Sequence, residues 1–259
     1  MASETYTTKG LVLKRTKLGE SDVICTLLAE DGSQIKAVAK GARKPSSSFT
    51  SRLELFSACD LLIARGRNLD IIKEARLIEG NAALRESLTL TEAASPMVEI
   101  VERATLESLE NPQLYPLTLK ALGVLPHVNE HALLGITAAH LIKTVSFLGF
   151  KPELSCCIVC GDTDVVTHAL SSKHKVAFSS LEGGIVCSKC VPFVETVWVE
   201  PQVIQWAQVL LYSTFEEIQG FELDSSTQLG LLRFLQTWIK EHIGFTLKSL
   251  TYVFSYGLA

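Results

Sequence analysis

Five strand-like runs between Lys9 and Glu79, a change to helical periodicity beyond Gly80, and two Cys-x-x-Cys pairs set among the helices predict an α+β multidomain protein. The expected architecture is an N-terminal five-stranded barrel of OB-fold type at 1–80, then an all-α domain at 81–259 with a four-cysteine module inserted at about 153–195. With 259 residues, 47% of them hydrophobic and 20% charged, the chain has the apolar mass for a true core, which excludes a disordered or fibrous protein.

Each barrel strand has its own signal. Leu11 and Leu13 alternate with Val12 and Lys14, and the apolar run Ile24 to Ala29 stops at Glu30-Asp31-Gly32-Ser33, a hairpin turn. A third strand spans Gln34 to Lys40 and closes on Gly41. Residues Ala42 to Ser48 then have the composition of a mobile loop. Two further strands, Phe56 to Ala64 and Leu69 to Leu77, flank the turn Arg65-Gly66-Arg67-Asn68. Five strands in so short a stretch suit a small closed barrel.

Beyond Gly80, Ser95-Pro96 reads as a cap and first turn before Met97, Val101 and Ala104. Leu134, Ala138, Leu141, Val145 and Leu148 recur at four, three, four and three residues, the stripe of a core-facing helix that Gly149 stops. Pro201 opens a helix carrying Val203, Trp206, Ala207 and Leu210, and Ser225-Ser226 precede another with Leu231, Leu235 and Trp238.

The formal net charge of −4 speaks against a protein that coats nucleic acid by bulk charge, but it is unevenly spread. Residues 1–80 sum to +3 and residues 81–259 to −7. From Gly32 to Leu53 there are five basic residues, Lys36, Lys40, Arg43, Lys44 and Arg52, and no acidic one. In a small barrel, loop lysines and arginines contact the phosphates of single strands, and Arg65 and Arg67 on a second turn extend the patch, as Lys14, Arg15 and Lys17 do on a third side. The competing reading is an ordinary solvated loop. The aromatic residues here are Tyr6, Phe49 and Phe56; Phe56 reads as core and stacking rests mainly on Phe49, so binding is expected to be largely electrostatic and weakly sequence-selective.

Seven cysteines without a basic-then-apolar leader in MASETYTTKG suggest a soluble, unexported protein whose thiols bind metal or pack. Cys25 and Cys59, isolated in strand-like runs, read as core. Cys157-Ile158-Val159-Cys160-Gly161 and Cys187-Ser188-Lys189-Cys190, 26 residues apart, form two knuckles able to present four thiolates tetrahedrally. Cys157, Cys160, Cys187 and Cys190 leave no open ligand position, so one structural zinc per chain is expected; Cys156 is left as a bystander, and unmetallated buried thiols are the alternative. No histidine is followed by Glu two residues later, which excludes a zinc deaminase. No Gly-rich phosphate loop or Gly-x-Ser-x-Gly is present either, so no catalytic residue is assigned.

Gly10-Leu11-Val12-Leu13 with Gly19-Glu20-Ser21-Asp22, Lys40-Gly41-Ala42-Arg43-Lys44, Gly149-Phe150-Lys151-Pro152-Glu153-Leu154, Phe178-Ser179, Gly183-Gly184 and Lys248-Ser249 together resemble the RecO family of recombination mediators over nearly the whole chain. The resemblance implies an OB-fold, a helical domain with a zinc module, and a non-enzymatic function in DNA repair and recombination. Such a protein binds single- and double-stranded DNA and anneals complementary strands. With RecR it helps RecA replace the single-strand binding protein on gapped DNA, RecF being a further candidate partner. It also implies a cytoplasmic, nucleoid-associated protein, no membrane contact, and a dock for the acidic C-terminal tail of the single-strand binding protein. Lys143 or Lys151 could meet that tail, though each is as readily a solvated lysine. Where relatives commonly carry Arg after Lys-Ser, this chain has Leu250. The runner-up reading is an RNA-binding barrel and zinc module of the translation or transcription apparatus.

Overall fold

A computed structural model of the chain describes residues 4–257, so the first three residues of the amino-terminal segment read for an export signal lie outside it. Five strands, β1 (Thr5–Leu18), β2 (Asp22–Ala29), β3 (Gln34–Ala39), β4 (Ala58–Ala64) and β5 (Asp70–Glu79), close into a barrel in the order β1-β2-β3-β5-β4. Closure is made by a short parallel contact, Ala37 beside Asp70 and Val38 beside Ile71, while every other pairing is antiparallel. Val12, Val23, Cys25, Leu27, Ala37, Cys59, Leu61 and Ile63 fill the interior. Cys25 and Cys59 are fully buried, and burial pushes both thiols up to about 11, so they are inert core residues.

Leu11, Val12 and Leu13 are all buried, although a strand with one solvent face would alternate. The cause is a helix, α2 (Leu88–Ala104), packed against the outside of β1. It follows α1 (Ala82–Glu86) and precedes α3 (Leu114–Val124), and all three belong to a first compact unit that ends at His127. Gln34 ties them to β3: its side-chain amide donates to the carbonyls of Glu102, at 2.7 Å, and Thr105. Residue 80 therefore marks a change of secondary structure, and 127/128 a change of packing.

The helix expected to start at Ser95-Pro96 begins at Leu88 instead. Ser87 is the cap, accepting from the Leu90 N–H, and Pro96 lies inside the helix, where it forfeits one N–H bond. Gly32 takes φ +82° in the β2–β3 turn, and a Cβ there would stand 1.8 Å from the Asn111 carbonyl oxygen. Gly32→Ala should therefore cost about 2 kcal/mol or more, read as a fall in the denaturation midpoint.

The second unit runs from Val128. Its central helix α4 (Glu130–Phe147) is buried on nearly every side, including Leu134, Ala138, Leu141 and Val145, and Gly149 (φ +91°) ends it. Helices α6 (Pro201–Tyr212), α7 (Phe215–Ile218), α8 (Ser225–Ile243) and α9 (Lys248–Tyr256) complete the helical part, with Asp224 rather than a serine capping α8. Between α4 and α6 lie α5 (Val165–Ser172), the hairpin β6 (Val176–Ser179) and β7 (Gly184–Val186), and β8 (Val197–Val199), the three strands forming a sheet in the order β7-β6-β8. Among the described residues no helix is long and apolar enough to cross a membrane.

Several of the quoted motifs are places where this scaffold is fixed. The Trp238 indole N–H donates to the Phe150 carbonyl at 2.8 Å, Glu153 bridges to Gly184, and Leu154 is buried. Leu250 is fully buried as well, so this position of α9 serves the core and carries no basic contact.

Candidate metal centre and nucleic-acid interface

The two knuckles are tight turns closed by their own backbones. The Gly161 N–H donates to the Cys157 carbonyl at 2.8 Å with Gly161 at φ +78°, and the Cys190 N–H donates to the Cys187 carbonyl at 2.9 Å. The first knuckle is fastened to the hairpin by Ile158 N–H to the Ile185 carbonyl, 2.9 Å. The sulfurs of Cys157, Cys160, Cys187 and Cys190 consequently lie within 4.8 Å of one another, Cys160 Sγ and Cys187 Sγ at 3.6 Å. A tetrahedral ion with sulfur arms of about 2.3 Å needs sulfur separations of about 3.8 Å, so the four thiols fit one. Cys156 stands outside the cluster.

The cluster is also electrostatically prepared. Burial pushes the Cys157 thiol up, but the N–H groups of Cys187, Cys160 and Val159 outweigh it and leave the thiol at about 6. Burial and the neighbouring thiols push Cys190 up to about 12. A dication bound among the four sulfurs would let all of them ionise.

In the barrel, two sequence motifs seventeen residues apart meet in space. The Gly41 N–H donates to Asp22 Oδ1 at 2.7 Å, the Arg43 N–H to the Ser21 carbonyl at 2.9 Å, and the Arg43 guanidinium to the carbonyls of Glu20 (2.9 Å) and Gly19 (3.2 Å). The Thr50 hydroxyl donates to the carbonyls of Ala42 and Lys44. The segment whose composition predicted a mobile loop is therefore stapled to the β1–β2 turn. Lys40 and Lys44 are exposed and stand near Asp22, whose carboxyl is held below its usual range by the Gly41 N–H, then Ser21, then those two lysines.

The other basic candidates lie elsewhere on the barrel. Arg52 donates to the Ala75 carbonyl of β5 at 3.0 Å and lines a cleft of about 670 Å³ with Lys9, Lys73 and Arg76, three cations the sequence reading did not single out. Two of them are engaged, Arg76 with Asp60 at 2.5 Å and Lys9 with Glu30 at 3.8 Å. Arg65 lies over the Tyr6 ring at 4.8 Å and 3.8 Å from Glu4, and with Arg67 and Lys36 it lines a smaller depression of about 250 Å³. Phe49, the expected stacking residue, is half-buried against the barrel core. Acidic partners arrive from distant elements: Glu107 stands 4.0 Å from Lys36, Glu102 is 3.0 Å from Lys14, and Glu54 pairs with Arg15. The stretch that is acid-free in sequence is not acid-free in space.

A closed five-stranded barrel of the OB type, followed by a helical unit with a four-thiol cluster placed for metal, defines a barrel and metal-module class of protein. Within that class the comparisons are specific. Residues 1–81 match the family model described as Recombination protein O N terminal, and residues 85–251 the one described as Recombination protein O C terminal. The chain is similar to the DNA repair protein RecO of Bifidobacterium longum, 34% identical over 184 residues covering 70% of this chain and 72% of that one. It is likewise similar to that of Alkaliphilus metalliredigens, 29% identical over 237 residues covering 91% and 93%. The chain belongs to the RecO family of DNA repair proteins.

Proposed function

We propose that the chain is a non-enzymatic recombination mediator that binds single- and double-stranded DNA through its barrel and anneals complementary strands. The observation that carries this reading is the stapled corner: the β1–β2 turn and the Lys40–Lys44 segment hold each other and present exposed Lys40 and Lys44, with Arg43 between them. Small barrels of this type bind oligonucleotides with the face of strands 2 and 3 and with the β1–β2 and β4–β5 loops. Here those two loops are bounded by Lys40, Arg43 and Lys44 on one side and contain Arg65 and Arg67 on the other.

Exposed cations beside a fixed turn grip phosphates and leave base edges free, which is what two strands searching for register require. The half-buried Phe49 and the paired Arg76 and Lys9 agree with contacts that do not read bases. Family membership supports action with RecR and with the tail of the single-strand binding protein in handing gapped DNA to RecA, with RecF a further partner, in the cytoplasm at the nucleoid. Lys143 and Lys151 are weak candidates for the tail dock: Lys143 donates to the Leu211 carbonyl at 2.6 Å and Lys151 to the Tyr212 hydroxyl at 2.8 Å.

Cys157, Cys160, Cys187 and Cys190 hold one structural zinc in this reading, and the ion would supply cross-linking of the two knuckles rather than chemistry. Of the seven cysteines, one, Cys156, should react quickly with a thiol reagent in the metal-loaded protein, and five after chelation, since Cys25 and Cys59 stay buried. Five fast thiols before chelation would argue against a bound metal.

Binding is tested with DNA and RNA of one sequence over a range of salt. Each phosphate neutralised on a single strand contributes about −0.7 to the slope of log K against log salt, so four to six contacts predict a slope of about −3 to −4. A binding constant that ignores salt, or a clear preference for RNA, would overturn the reading.

A further inference from the structure

The small sheet of the second unit treats its two edges differently. Beyond β7 the chain pairs its own edge: the Ile185 N–H donates to the Glu153 carbonyl at 3.0 Å, the Glu153 N–H to the Gly183 carbonyl at 2.8 Å, and the Ile158 N–H to the Ile185 carbonyl at 2.9 Å. The opposite edge is β8, bonded only to β6. Among the described residues no hydrogen bond from outside the sheet reaches Val197, Trp198 or Val199. Val197 is 56% and Trp198 60% exposed. Strand edges are ordinarily guarded by lysine, proline, a bulge or a covering segment, and these three residues have none of those.

The register shows what lies on each face. Trp198 sits opposite Ala177, itself opposite Val186, and walls a cleft of about 780 Å³ lined also by Val165 and Val191. Val197 and Val199, of the other parity, line a cleft of about 270 Å³ with Phe178, Phe234 and Trp238, which Trp198 also borders. An added strand would find a mixed cleft, bordered also by Asp162, Asp164, Lys175 and Lys189, on one face and an apolar seat on the other.

We propose that β8 is a self-association edge: two copies of the chain pair their β8 strands antiparallel about a twofold axis at Trp198, joining two three-stranded sheets into one of six. The strand is its own complement in this register. Trp198 faces its equivalent and Val197 faces Val199 of the second copy, so every cross-strand pair is aromatic or β-branched, the pairs that favour sheets most. The flanks agree, because Thr196 falls opposite Glu200 and Glu195 opposite Pro201, and no like charges face each other. Glu200 is moreover neutralised by Lys175 at 2.9 Å. An isologous contact of this kind closes at two copies. Three residues per strand make a small interface, so dissociation in the micromolar range is expected.

Sedimentation equilibrium of the full metal-loaded chain from about 1 to about 200 μM, concentrations spanning that range, tests this. The mass should rise from monomer to dimer and stop there. Trp198→Glu should raise the dissociation constant ~10-fold or more while keeping metal content and circular dichroism. Leu181→Glu, which alters the 82% exposed residue of the β6–β7 turn away from the edge, should dimerise as the parent does. Should Trp198→Glu lose metal, Val197→Lys takes its place, and hydrogen exchange of the unaltered chain decides independently: amide protection within β8 should grow with concentration. A monomer throughout, growth beyond dimers, association unchanged in Trp198→Glu, or dimers without added protection in β8 would each overturn the proposal.

Discussion

Replacing Cys187 by serine, or stripping the metal with a strong chelator, is expected to unfold the segment from the first knuckle through β8 while leaving the barrel intact. Phe178 anchors β6 on Phe234 and Trp238 of α8, but the knuckle side of the segment has little except the thiols to hold it. The cluster there is Cys157, Ala177, Val186, Cys187 and Cys190 with a few flanking valines, so three of its five buried residues are themselves ligands. Cys187 has two roles, since its sulfur lies 3.6 Å from Cys160 Sγ and its N–H donates to Cys157 Sγ at 3.3 Å. In modules this small, metal affinity is folding free energy, and several kcal/mol of local stability should vanish with the ion. Limited proteolysis would read the change as new cleavage between α5 and β8, and elemental analysis as loss of about one zinc per chain. Cys156→Ser should change neither quantity. Equal protection of the segment with and without metal would show that the thiols merely pack.

The second large effect is expected at the barrel corner. Lys40→Glu with Lys44→Glu reverses two exposed cations that bond to no carbonyl of the β1–β2 turn, so the fold should persist while affinity for single-stranded DNA falls ~10- to 100-fold. The slope of log K against log salt should become shallower by about 1.4, the share of two phosphates. Arg43→Glu should cost at least as much for a different reason, because it both adds a negative charge and releases the carbonyls of Gly19 and Glu20. The double lysine variant isolates charge from architecture, and fluorescence anisotropy at two salt concentrations measures both quantities. Reversal of Arg65 and Arg67 should weaken binding less, since Arg65 already spends its guanidinium on Tyr6 and Glu4.

What was legible in the sequence was what is local. The strands follow from alternation and turn residues, and the metal centre from two spacings of three residues, because a knuckle is built by its own backbone. What was not legible depends on partners far along the chain. Ser95-Pro96 has the composition of a cap and first turn, yet Ser87 caps α2 earlier, and packing on β1 tolerates the proline within it. The Gly32–Leu53 stretch looked uniformly basic, yet Glu107 and Asp22 face it from other elements. The quoted motifs Gly19–Asp22 and Lys40–Lys44 were separate signals in sequence, and only the fold shows them to be one device. Leu250, a departure when read beside relatives, is simply a core residue.

The most direct test of the account is annealing of complementary DNA oligonucleotides coated with the cognate single-strand binding protein, with and without RecR. The account predicts that the chain accelerates annealing, that RecR changes the rate, and that Lys40→Glu with Lys44→Glu removes most of the acceleration. No acceleration on coated or naked strands, or a double variant as active as the parent, would contradict it.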